Sequence, residues 1–337
     1  MENRTAPWTR FRASRFFPAT VLVGILGTAA ALFAGSYTYA SSNPQPEYIP
    51  VAVVDSTSSD TAPFVQAVDE VLNGSLQIRH DSSISTAQDA LAEQDVFAIF
   101  DATSASTLVV DVSSASGLTV ASSIGEAVEQ AATDLGVEAG VTDLHPLQDG
   151  DPHGLTIFYM TIASVVIGFV GAVQLGVNAK SLRPGERIAF TAAYAVFAGF
   201  TIVATVDWLL GTLDLPFVES WGILALTMFA CGMVYTMFND LFGRWAMLPT
   251  WGLMILLGNP SSGGVVAWPF LPQWLAVIGG WLPPGASVNA QHTAVYFPGH
   301  QRAWPFLVLL GWAALGIGVH IARTRSPRHD RATDPAS

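Results

Sequence analysis

The sequence predicts a polytopic α-helical membrane protein, with six transmembrane helices and an inserted extracytoplasmic α/β domain. Three observations lead there. Of 337 residues, 51% are hydrophobic and only 12% charged, about half the charged share of an ordinary soluble domain. The apolar residues fall in runs long enough to cross a bilayer, for which about twenty helical residues suffice. The acid is segregated: most of it lies between residues 41 and 153, and nearly all the basic residues lie elsewhere.

Residues 1–40 read as a cytoplasmic N-terminus and first transmembrane helix. Arg4, Arg10, Arg12 and Arg15 precede the apolar run Phe16–Ala40. A cleaved signal peptide is the competing reading. The run is longer than a signal's apolar region, and Thr38–Tyr39–Ala40 matches a small-x-small cleavage site only loosely. Gly27, Ala31 and Gly35 fall four apart on one helix face. That spacing suits close helix contact in lipid, or reflects a chain rich in small residues.

Residues 41–153 form the predicted extracytoplasmic domain, opened by a short polar linker. Tyr48–Asp55 reads as a strand. Asp60–Pro63 starts a helix that carries Phe64, Val68, Val71 and Leu72 at helical spacing. Asn73–Gly74 ends that helix, and Leu76–Arg79 is a short strand. Asn73–Gly74–Ser75 also fits a glycosylation acceptor, which in a bacterial chain reads as a turn. Ser85 and Gln88 suggest a capping box for a helix through Glu93. Val96–Phe100, apolar on both faces, is a central strand, and Thr107–Val112 another. Ile124, Val128, Ala131 and Leu135 define an amphipathic helix stopped by Gly136. Strands alternating with helices give an α/β unit.

Residues 154–322 form a five-helix membrane domain, with spans near 155–178, 188–211, 220–239, 242–258 and 303–322. The stretch 259–302 holds six prolines, and its apolar piece Trp274–Leu282 is too short to cross. It reads as a re-entrant or interfacial hairpin. A seventh span over 264–282 is the alternative. Charge decides between them, because Arg and Lys concentrate in cytoplasmic loops. Six spans place Arg4, Arg10, Arg12, Arg15, Lys180, Arg183, Arg187, Arg244, Arg323, Arg325, Arg328 and Arg331 inside, and only Arg79 and Arg302 outside. Both termini, including the basic tail 323–337, are then cytoplasmic, and Trp208 and Trp221 flank an outer loop as an aromatic belt would. The chain contains only one lysine, Lys180, an arginine bias that suits a GC-rich bacterial genome; the spans are then expected in a bacterial plasma membrane.

The chemistry is sparse. Gly258–Gly264 is glycine-rich but contains no lysine, so no phosphate-binding P-loop is present; nor is there a His-Glu-x-x-His or Gly-x-Ser-x-Gly motif. The sequence therefore suggests no catalytic residue, no cofactor and no enzyme. The one cysteine, Cys231, allows neither an intramolecular disulfide nor a cysteine zinc site. Asp143, His145, Asp149, Asp151 and His153 crowd one loop, but their spacing matches no defined metal site; a solvated helix entry is the plainer reading. The acidic domain repels nucleic acid. Three polar residues in the spans are candidates for a transport path: Asp207 near an outer end, and Gln174 and Asn178 one turn apart. Headgroup water for Asp207 and interhelical hydrogen bonds for the amides are the structural alternatives.

The layout resembles the type-2 ABC-exporter permease superfamily, and within it the YhgE/Pip-like membrane proteins. Carrying the likeness are Val51–Asp55 after the first span, Ala90–Leu91 leading to Val96–Asp101, Ser113–Gly117, Asp151–Gly154, Leu257–Gly264 and Trp281–Ala286. It runs over nearly the whole chain and rests on the order of these segments rather than on one diagnostic motif. It implies a permease-like exporter subunit, a dimer with itself or a relative, and an ATPase on a separate chain. The ATPase would contact the loop after the second span, here Lys180, Arg183 and Arg187. That loop, residues 178–187, is short and basic, so a docking helix there would be small. The same group includes proteins described as phage-infection receptors, which implies the alternative of a non-transporting surface receptor or scaffold. Gly168, Ala172 and Gly176 offer a second small-residue face for dimer contact.

Overall fold

The computed structural model describes residues 12, 14, 16–41, 48–54, 61–104 and 107–325. The expected linker, the Asp60 helix start, and Arg4, Arg10, Arg15, Arg328 and Arg331 lie outside the described residues. Among those described, five helices are long and apolar enough to cross a membrane. They are α1 (Phe17–Ser41), α5 (Thr156–Asn178), α6 (Pro184–Ala204, continued by a π-helical turn, Thr205–Leu209), α7 (Phe217–Phe242) and α11 (Ala303–Arg325).

Between α1 and α5 in the chain lies a mixed five-stranded sheet with three helices. Its elements are β1 (Ile49–Val54), α2 (Thr61–Val71), β2 (Leu76–Asp81), α3 (Ile84–Ala92), β3 (Ala98–Ser104), β4 (Thr107–Val112), α4 (Leu118–Leu135) and β5 (Glu138–Asp143). The strand order is β2-β1-β3-β4-β5, so β3 is central, as its two-sided apolar sequence requires. All neighbours are parallel except β3 and β4. Alternation along β1 divides the core. Ile49, Val51 and Val53 face α2 and α4 beside Phe64, Val68, Ile124 and Val128. Ala52 and Val54 face α3 beside Ala87 and Leu91.

Two local expectations change. The cap of α3 is Ser83, whose hydroxyl accepts from the Thr86 amide at 3.2 Å, so the Ser85/Gln88 box does not form. An additional strand, β5, occupies a stretch to which the sequence assigns no element; its residues are mostly exposed at the sheet edge. Gly136 ends α4 as expected, in the left-handed region at φ 66°.

In the helical part, α7 is the hub and packs on α5, α6 and α11. Close approach is made by small residues, since apolar burial drives little helix association in lipid. A methyl on Gly168 of α5 would stand 2.8 Å from the Met228 carbonyl oxygen of α7, and one on Gly316 of α11 2.6 Å from that of Met233. The expected dimer face on α5 is thus consumed within the chain at Gly168. Buried hydroxyls return to their own helix: Ser164, Thr227 and Thr236 donate to the carbonyls of Met160, Ile223 and Gly232. By contrast α1 is peripheral, with nothing within 4 Å of a methyl built on Gly27 or Gly35.

The expected span at 242–258 is a short apolar segment, Met247–Gly258, formed by α8 (Met247–Trp251) and a π-helical run, Gly252–Gly258. Its twelve residues rise roughly 18 Å. The following stretch holds two further helices, α9 (Gln273–Gly279) and α10 (Pro283–Tyr296). The turns around them are tight: Gly279 packs on the Ser261 carbonyl and Gly285 on that of Gly279. Alongside α7, the pairs Ser220/Gln291 and Thr227/Ser287 show that α10 runs antiparallel to it.

Candidate functional site

The sheet unit is docked onto the helices, not merely tethered. Phe270, from the segment between α8 and α9, is 4% exposed and completes the core formed by β1, α2 and α4. Phe97 at the start of β3 lies 5.6 Å from the Trp268 ring. Gly117 and Ala267 are in van der Waals contact range, with room for no side chain between them. A second tie runs through the loop after β5. The Gln148 side chain donates to the Asp214 carbonyl at 3.2 Å and accepts from its amide at 2.7 Å.

Polar side chains from both parts converge at this junction. Gln94 Nε2 donates to Thr293 Oγ1 at 2.9 Å. Arg302 donates to Asp95 at 2.6 Å, with Glu93 at 4.0 Å. His292 Nδ1 is 3.1 Å from the Ala115 carbonyl oxygen. Ala115 N–H in turn donates to the His145 carbonyl at 2.9 Å, and the His145 ring lies 4.9 Å from that of Phe297. Burial pushes the His292 pKa down to about 4, against the partial opposition of the Ala115 hydrogen bond and the Asp151 charge. Burial likewise lowers that of His145, opposed by Asp143.

Gln94, His292 and Arg302 line a cavity of about 370 Å³. A second, of about 400 Å³, shares Gln94, Ser116, Trp268, Asn289 and Arg302 with it. The site lies at the amino ends of β1 and β3, where Pro50 and Phe97 form part of the wall. Among apolar residues, its polar side chains are amides, hydroxyls, paired charges and indoles. Such groups hold and orient a polar molecule, and the imidazole is turned toward a carbonyl.

The structure does not bring the sequence candidates into one path. Asp207 is half-buried in the π-helical end of α6. Gln174 and Asn178 are exposed on α5 and bond to each other, Asn178 Nδ2 to Gln174 Oε1 at 2.9 Å. They neither face the bundle interior nor bridge helices. Lys180, Arg183 and Arg187 surround the short connection from α5 to α6. There the Arg183 amide donates to Glu186 at 2.8 Å. Asp143 accepts from the amides of Ser114 and His145, while Asp151 accepts from those of Leu155 and Thr156 and so caps α5. Both carboxylates have structural work in the loop that had suggested metal ligands. Trp208 stacks on Phe217 at 4.5 Å, joining the ends of α6 and α7.

The junction residues escaped the sequence because they come from segments about 200 residues apart. One signal was available: Asn289 is a polar residue on a helix where its neighbours from Leu282 to Ser287 are buried. A polar contact between α7 and α11 was also missed, His320 Nδ1 to Asp240 Oδ2 at 2.6 Å. Comparisons with protein-family models, curated proteins and solved structures give no match.

Proposed function

We propose that the chain is a permease-like subunit of a bacterial export system, crossing the plasma membrane six times. The sheet unit is extracytoplasmic, both termini are cytoplasmic, and the work comes from an ATPase on a separate chain. The crossings are α1, α5, α6, α7, the segment from Met247 to about residue 267, and α11.

The observation that carries this reading is the docking of the sheet unit onto the broken segment between α7 and α11. Irregular backbone at membrane depth is tolerated only where protein buries it. Here Gly258 packs on Pro284, and Gly264 on Phe158 and Val288. A hairpin held by Phe270, His292 and Thr293 would move with the sheet unit. An anchor alone needs none of this, and five crossings after the sheet unit exceed what anchoring needs.

Charge supports the sidedness. α7 and α11 start beside the sheet unit, at contacts made by Asp214 and Arg302, and α5 follows the last strand in the chain. About twenty or more residues further along each helix, roughly 30 Å or more away, lie Lys180, Arg183, Arg187, Arg244, Arg323 and Arg325. That distribution fits the positive-inside rule.

One feature favours a receptor or scaffold instead. The connection from Asn178 to Pro184 contains no helix, so an ATPase would find only Lys180, Arg183 and the start of α6 to grip. Purification from native membranes in mild detergent separates the two readings. The permease reading expects a P-loop ATPase to copurify and to be lost in a Lys180→Glu/Arg183→Glu variant. Absence of any ATPase, with a partner lost on deletion of residues 45–150 and efflux unchanged, would establish the scaffold.

A further inference from the structure

The junction cavity adjoins an apolar groove. Trp304 borders both. On one side is the junction cavity, where Gln94, Ser116, Asn289 and Arg302 stand among apolar residues; on the other a groove of about 330 Å³ runs along α11, lined by Trp281, Val308, Gly311, Trp312 and Leu315. Trp304 Nε1 donates to the Gly280 carbonyl at 3.3 Å and Trp312 Nε1 to that of Trp281 at 2.8 Å. The groove therefore offers ring faces and aliphatic surface, with its indole donors already used. From Trp304 to Leu315 it follows roughly 16 Å of helix, about the hydrocarbon depth of one leaflet.

The cavity side adds polar groups to an apolar wall. Asn289 is exposed there, and its side chain makes no hydrogen bond with any described residue. Gln94 and Ser116 stand across from it. Gln94 holds φ at 60°, two residues past the end of α3, where glycine or asparagine is usual. Charge in the cavity is not basic: the guanidinium of Arg302 is held by Asp95, and Glu93 adds a further carboxylate. A phosphate would find no unpaired cation. A hydroxyl-rich group would find amide donors and acceptors and the Trp268 ring.

We infer that the two cavities together bind one lipid, with an uncharged, polyhydroxylated headgroup against Asn289 and Gln94 and one acyl chain in the groove along α11. This rests on the reading of α11 as a membrane-crossing helix with the sheet unit outside, and it assigns the lipid to the outer leaflet.

The test uses the full chain in phosphatidylcholine nanodiscs. Monoglucosyl diacylglycerol and phosphatidylglycerol with identical brominated chains are titrated in, and quenching of tryptophan fluorescence is read. The glucosyl lipid is expected to quench at about tenfold lower mole fraction, the worth of one or two hydrogen bonds. Asn289→Leu, at an exposed position, abolishes that preference. Gly311→Leu fills the groove, where nothing lies within 4 Å of the added carbon, and weakens quenching by both lipids. Equal quenching by both lipids, or a preference for phosphatidylglycerol, overturns the assignment. So does full competition by free methyl glucoside, which would mark a soluble-sugar site. Failure of the chain to insert into nanodiscs overturns the membrane reading itself; loss of ATPase copurification leaves the lipid result standing.

Discussion

His292 Nδ1 lies 3.1 Å from the carbonyl oxygen of Ala115, joining α10 to the loop between β4 and α4. The neutral tautomer that donates at Nδ1 satisfies a carbonyl 177 residues earlier in the chain. The sheet unit and the broken segment are thus joined by a part-buried polar contact as well as by apolar packing.

That contact makes the junction sensitive to acid. The folded pKa of His292 is lowered from 6.5 to about 4, so between those values the unfolded chain binds the extra proton. Its contribution is complete above about pH 6.5 and is lost as pH falls toward about 4. Facing groups are the Asp151 carboxylate, which opposes the shift, and the Tyr296 ring, 5.8 Å away. Hydrogen exchange in β3 and β4 should quicken over that window in the native chain. In His292→Gln it should be faster at neutral pH and flatter with pH.

Phe270→Ala should loosen the sheet unit. Its ring is 4% exposed within a core built otherwise from residues 49–132, and removing a buried phenylalanine costs about 3 to 5 kcal/mol. Limited proteolysis should show faster cleavage in the sheet unit while the thermal transition of the helical bundle changes less.

Arg302→Ala should matter little for stability. The pair with Asp95 is short, at 2.6 Å, but its side chains are 49% and 40% exposed. Such pairs are worth about 0.2 to 1 kcal/mol. A double-mutant cycle with Asp95→Ala should return a coupling in that range, diminished by salt.

Glycines of the helices should divide into two classes. Gly316→Leu collides with the α7 backbone at Met233, and overpacking of this kind costs about 1 to 3 kcal/mol. Gly27→Leu, with open space around it, should leave thermal stability in detergent unchanged. If Gly27→Leu instead shifts the oligomeric state on sizing, the small face of α1 is a subunit contact.

Much of the architecture was legible because its signals are local. The long apolar runs appear as α5, α6, α7 and α11, within a few residues of their expected ends. The strands at Thr107–Val112 and Leu76 follow from β-branched and apolar alternation. Glu138–Asp143 was not legible: with Val141 its only large apolar residue, the strand is held by pairing to β4, not by burial. The segment 242–258 reads as a full span by composition, yet only Met247–Gly258 forms the short apolar helix. Gly243, at φ 57°, ends α7 and uses up the residues that a full-length helix would need. The junction site was invisible for a different reason. Gln94, Ser116, Asn289 and Arg302 meet only through the docking of distant segments, which no periodicity records. The polar residues that did stand out in the spans, Gln174 and Asn178, satisfy each other on one helix.

The central claim, six crossings with the sheet unit outside, is tested most directly by cysteine accessibility. Cys231 is the single native thiol and is buried, so a Cys231→Ala chain is a clean background. Single cysteines are placed at exposed positions Glu138, Gly299, Lys180 and Arg325, and intact cells are treated with a membrane-impermeant maleimide. The account predicts labelling at Glu138 and Gly299 in intact cells, and at Lys180 and Arg325 only after permeabilisation. Labelling of Arg325 from outside, or of Glu138 and Lys180 from the same side, would contradict it.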